Sequence, residues 1–177
     1  MSSSTGEVSA VFVPGGATQG VLHGDAAFAQ AVLRLLGLAA QSGAPLTLVD
    51  ADFARWPLGD AQALQTWRDW LTRHPGSQGR MLARDWPAVA RKHGSWVRWH
   101  TPWGHRLQAL AMAPEDAPQW PGTLMVAAGI GALHCTEESG QKVFWTTDRV
   151  QCRAWLATVD VILQRSTVVA PHSTFGL

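Results

Sequence analysis

The short run Leu46 to Val49 (LTLV) constrains the fold more than any other stretch. It is too brief for a helix, it stands between two amphipathic segments, and it ends abruptly in Asp50 and Asp52. A run of that kind is a strand buried on both faces whose C-terminal end reaches solvent, the condition of a sheet covered by helices on either side. Before it, Asp25 is placed to cap a helix whose apolar positions Phe28, Val32, Leu35, Leu36 and Ala39 recur at spacings of three and four, with Gly43 as the stop. After it, Asp60 caps a second helix with Ala63, Leu64, Trp67, Trp70 and Leu71 on one side, ended by His74-Pro75-Gly76.

The same reading extends along the chain. Val8 to Val13 (VSAVFV) is a β-branched and aromatic run closed by Pro14-Gly15-Gly16, a strand and turn. Gly79 to Ala83 gives another strand, and Asp85 caps a short helix through Lys92. Ser95 to His100 alternates strictly and is expected to be a strand, with Trp96, Arg98 and His100 on one face and Ser95, Val97 and Trp99 on the other. Arg106 to Met112, Thr123 to Ala128, Ala132 to Cys135 and Gln141 to Trp145 complete the strands. Asp148, with Gln151 three residues on, opens a final helix striped by Cys152, Trp155, Leu156, Val159, Ile162 and Leu163. The pattern predicts a single α/β domain over residues 1–177, built on a mixed β-sheet of about six to eight strands with helices on both faces. Residues 1–7 and 166–177 are expected to be tails.

Hydrophobic residues make up 46% of the 177-residue chain, enough to bury a core without metals or disulfides. No segment approaches the roughly 20 consecutive apolar residues of a membrane span. The start, MSSSTGEVSA, lacks a basic region followed by an apolar one, and Cys135 and Cys152 form no CxxC pair. A bacterial, cytoplasmic protein without a membrane span is the expectation.

Charge is distributed unevenly. From Arg73 to Arg106 seven Arg or Lys face one acid, Asp85, in a chain whose net charge is +1. Trp86, Trp96, Trp99 and Trp103, with His74, His93, His100 and His105, are interleaved with those cations. Such a segment can bind phosphates through Arg and Lys and stack bases on indole faces. The competing reading puts the tryptophans in the core or a dimer contact, with the cations lying over it. Arg84, Trp96, Arg98, His100, His105 and Arg106 are the candidate ligand-binding residues.

The succession of helix 25–41, strand 46–49, helix 60–73, strand 80–83, short helix and strand 95–100, followed by the hairpin 123–135 and the long last helix, resembles one half of the phospholipase D superfamily over about residues 20–165. That resemblance implies a mixed sheet with helices on both faces, and an active site assembled from a His-x-Lys-x4-Asp motif in each of two halves. This chain contains no His-x-Lys: Lys92 and Lys142 are preceded two residues earlier by Ala90 and Gly140. The hairpin where the motif would fall reads Trp120-Pro121-Gly122-Thr123-Leu124-Met125-Val126-Ala127-Ala128, without the motif's His, Lys or Asp. The resemblance therefore implies a degenerate active site and a non-catalytic binding or interaction module. It also implies a homodimer, since single-half members pair. A phosphate-backbone binder, nucleic acid or phosphoester, is the alternative. A phosphodiesterase with a site rebuilt around His100, His105 and Asp50 is the third reading.

Other motifs carry less. His93, His100 and His105 match no metal-ligand spacing, so neither metal nor cofactor is expected. His134 and Cys135, adjacent on one strand, point to opposite faces and cannot pair as base and thiol. Asp50 and Asp52 at a strand end could act in acid-base chemistry, hold a cation or cap the following turn.

Overall fold

Leu46–Asp50 is buried at every position and stands in the interior of the sheet, as its composition requires. The computed structural model describes residues 10–136 and 141–171. In chain order the elements are β1 (Gln19–His23), α1 (Asp25–Ser42), β2 (Leu46–Asp50), α2 (Ala61–Arg73), β3 (Gly79–Ala83), α3 (Trp86–Lys92) and α4 (Gly94–His100). There follow β4 (Leu107–Ala111), β5 (Thr123–Ala127), β6 (Gly131–Cys135), β7 (Lys142–Thr146), α5 (Arg149–Leu163) and β8 (Thr167–Val168). The strands form one eight-stranded mixed sheet in the order β1-β7-β6-β5-β2-β3-β4-β8. Only β2, β3 and β4 run parallel; every other pairing is antiparallel.

Alternation along the strands divides the core into two layers. Leu48, Met81, Ala109, Met125 and Leu133 meet α1 to α4 on one face, together with the buried loop residues Phe53 and Trp56. Val49, Leu82, Leu110, Leu124, Val126 and Ala132 meet α5 on the other, through Cys152, Val159, Ile162 and Leu163. Among the described residues no helix is long and apolar enough to cross a membrane.

Local signals fix most of the boundaries. The Asp60 carboxylate accepts from the Gln62 and Ala63 amides, Asp85 from Ala88, and Asp148 from Val150 and Gln151. Gly43, at φ +74°, ends α1 in the left-handed conformation that other residues adopt at a cost. Asp25 is not the cap of α1. Gly24 occupies that position, and Asp25 lies in the first turn, where its charge suits the helix dipole and pairs with Arg55 at 3.4 Å.

Three expectations are corrected. Residues 10–13 form a turn with Phe12 at φ +57°, and the first strand is Gln19–His23 instead; Val8 and Ser9 lie outside the described residues. The apolar run still buries, with Phe12 edge-on to Trp145 at 5.5 Å, so its hydrophobicity serves packing rather than pairing. Thr167–Val168, assigned to a tail, pairs antiparallel with β4.

The largest correction is at Ser95 to His100, which is not a strand but the helix α4. Over six residues the alternating pattern and a helical one compete, and the helical one buries more: Trp96 and His100, four apart, stack at 4.7 Å. Trp96 is wholly buried beneath Trp86, while Arg98 turns outward to solvent. This separation is measurable. Trp96→Ala is expected to cost about 3–5 kcal/mol in urea unfolding, and Arg98→Ala to stay within about 0.5 kcal/mol. Similar costs for both would contradict the helix.

Candidate functional site

In open α/β sheets ligands collect beyond the carboxyl ends of the parallel strands. There Asp50, at the end of β2, is 6% exposed and surrounded by donors. Its Oδ1 accepts from the amides of Phe53 (2.8 Å) and Asp52 (3.2 Å), and its Oδ2 from Trp56 Nε1 (3.0 Å) and Thr123 Oγ1 (2.5 Å). Asp52 likewise accepts from the Ala54 amide. Both carboxylates therefore organise the turn after β2.

That turn presents Arg55, whose guanidinium lies over the Phe28 ring at 5.2 Å and donates to Asp25 (3.4 Å) and to Cys135 Sγ (3.7 Å). Burial, the largest single influence, favours the neutral form of Arg55. The Cys135 hydrogen bond and charge, with those of Asp25 and Asp50, outweigh it and push the value up, so Arg55 stays a cation. Arg84 stands at the end of β3 with its guanidinium 4.6 Å from the Trp120 ring centre. Arg84 and Trp120 line a polar cleft of about 400 Å³ with Pro121, Gly122 and Thr136.

The six candidate binding residues do not share one surface. Arg84 follows β3 at the carboxyl end, whereas His105 and Arg106 precede β4 at the opposite end of the parallel strands. Trp96 and His100 are interior; His100 Nε2 donates to the Leu107 carbonyl at 2.5 Å. Arg106 is half-buried and donates to the carbonyls of Leu71 (2.5 Å), His74 (2.5 Å) and Ser77 (2.9 Å). It thereby fastens the end of α2 and the loop after it to β4. Arg98 and His105 are exposed.

Three other cations of the segment are exposed on the two short helices. Arg91 and Lys92 end α3, Arg98 lies on α4, and all three are exposed. The Arg98 Nη1 folds back to 3.7 Å from where a Cβ on Gly94 would stand, beside the α3–α4 junction. Among the described residues no carboxylate forms an ion pair with any of the three. The helical period of α4 would have revealed the outward turn of Arg98, because it separates Arg98 from Trp96 and His100.

No cluster of three or more His, Cys, Asp or Glu suited to a metal occurs among the described residues. His93 is buried, and its Nε2 donates to the Phe53 carbonyl at 2.8 Å. Burial, aided by Lys92, lowers its pKa below the ordinary value of 6.5, against the opposing pull of the Phe53 carbonyl and Asp52. His134 Nε2 donates to the Pro121 carbonyl at 2.9 Å while its ring packs on Trp155, so it too is occupied structurally.

No protein-family model matches the chain, and no curated protein matches it in sequence. Its fold is phospholipase D-like, as solved structures show. TrmBL2, an archaeal chromatin protein described as showing a novel mode of DNA binding, superposes with a TM-score of 0.63 at 13% identity, over 89% of this chain and 55% of that one. The phospholipase D family member Nuc of Salmonella typhimurium gives 0.55 at 8% identity, over 85% and 98%. Phosphatidylserine synthase of Haemophilus influenzae Rd KW20 gives 0.53 at 13%, over 90% and 41%. The chain thus spans about half the length of TrmBL2, and at these identities the likeness is one of fold.

The buried His93 has a consequence for stability against pH. Its folded-state value is depressed, so the unfolded chain binds more protons as pH falls below about 6.5. Its contribution is present above that value and lost as pH drops through the folded one. Between pH 7 and 5 the unfolding free energy of the wild type is expected to fall more steeply than that of His93→Gln. Parallel pH profiles would show that His93 is not the titrating group.

Proposed function

We propose that the chain is a non-catalytic, phospholipase D-like module that holds a phosphate backbone on the outer face of α3 and α4. The observation that carries this reading is the division of the segment 73–106. Trp86 and Trp96 pack inward, while Arg91, Lys92 and Arg98 face solvent without carboxylate partners among the described residues. With these indoles inside, contact is through charge rather than base stacking, and the ligand is a polyanion bound without sequence preference. The DNA binding described for TrmBL2, whose fold this chain shares, supports nucleic acid as that polyanion. The missing His-x-Lys supports binding without cleavage.

Phosphate contacts release counterions, so affinity for a labelled duplex, followed by fluorescence anisotropy, should fall with salt. About three contacts correspond to a slope near −2.7 in log K against log salt. Replacing Arg91, Lys92 and Arg98 together by Ala is expected to abolish binding at 50–200 mM salt (roughly the range over which such contacts are lost) while leaving the thermal transition in place. Binding that ignores salt, or survives the triple substitution, rejects the proposal.

A further inference from the structure

At the end of the sheet away from Asp50, a cavity of about 280 Å³ opens between the β5–β6 turn and the first turns of α5. Its walls include Gly129, Ile130, Cys152 and Leu156, and its charged lining groups are Arg149 and Arg153. These two arginines, four apart and therefore on one side of α5, are exposed and form no ion pair among the described residues. Asp148 is not among the lining residues; its carboxylate accepts from the Val150 and Gln151 amides. An anion here would therefore be held by the guanidinium pair, since the cap already occupies those helix donors.

The cavity wall contributes no opposing charge. The Cys152 side chain is buried, with Sγ 4.0 Å from the Thr146 carbonyl. Burial, with Asp148 nearby, pushes this thiol up, so it lines the cavity as a neutral, weakly polar group. Nothing in the phosphate-backbone reading uses this cavity, because the α3–α4 face belongs to the other helical layer.

We propose that the cavity binds a small amphipathic anion, a monocarboxylate with an apolar body of medium length, the chain inserted against Ile130, Cys152 and Leu156 and the carboxylate at Arg149 and Arg153. The volume lies close to the lower limit of roughly 300 Å³ for small-molecule sites, which favours a ligand smaller than a drug or a dinucleotide. Apolar walls with a cationic mouth select both properties at once: a short carboxylate lacks the buried surface, and a neutral alcohol lacks the ion pair.

The test is a titration of ¹⁵N-labelled protein with butanoate, hexanoate and octanoate, followed by amide chemical shifts. Expected are saturable shifts centred on Gly129, Gly131 and Cys152. Affinity should rise about fourfold for each methylene added until the cavity is filled. Arg149→Gln with Arg153→Gln, both exposed and so without effect on folding, should weaken octanoate at least tenfold and leave octanol unchanged. Leu156→Trp, which fills the cavity, should remove the chain-length dependence. Shifts centred elsewhere, binding independent of chain length, or binding indifferent to both arginines would overturn the assignment.

Discussion

A carboxylate withdrawn from water at the end of a buried strand is tolerable only when donors replace its hydration, and Asp50 has four. Two come from the turn it begins, one from Trp56 and one from Thr123 on β5. This one group therefore sets the conformation of residues 51–56, seats Trp56 and Phe53 against the helical layer, and ties β2 to β5. It also decides where Arg55 emerges, and with it the arrangement of Asp25, Phe28 and Cys135 at the carboxyl end. The buried acid there is committed to holding the structure together.

The segment around α3 and α4 follows a second constraint, the separation of apolar from charged side chains across two short helices. Trp86, Trp96 and His100 form a stacked series beneath the surface, and the cations of the same stretch have nowhere to go but outward. Arg106 is the exception that explains the rule. It reaches inward because three backbone carbonyls at the end of α2 and in the following loop are placed to accept from a fork of N–H groups. Charge density along the sequence is therefore a poor guide to charge density on the surface.

Much of the fold was legible. Helices α1, α2 and α5 carry apolar stripes long enough to separate a period of 3.6 from one of 2, and Asp60, Asp85 and Asp148 mark their starts or those of α3 by capping. The run at β2 and the hairpin around Gly129 declared themselves by burial and turn chemistry. What failed was short. Seven residues of α4 satisfy either period, the two-residue β8 has no pattern at all, and Val11 and Phe12 bury without pairing. The turn around Asp50 and the seat of Arg106 were less legible than the fold, because their contacts are long-range: Thr123 reaches Asp50 across 73 positions, and Arg106 reaches Leu71 across 35, whereas the exposure of Arg98 was hidden by the ambiguous period of α4.

Two indoles of this segment, Trp86 and Trp96, are interior, while Trp99 and Trp103 are half-buried and Arg91, Lys92 and Arg98 face solvent. The most direct measurement is the ¹⁵N–¹H spectrum of the tryptophan side chains during titration with a short oligonucleotide. The Trp86 and Trp96 indole resonances are predicted to stay fixed while the backbone amides of Arg91, Lys92 and Arg98 move. Large ring-current shifts at those two indoles, as base stacking produces, would contradict the separation of core from binding face.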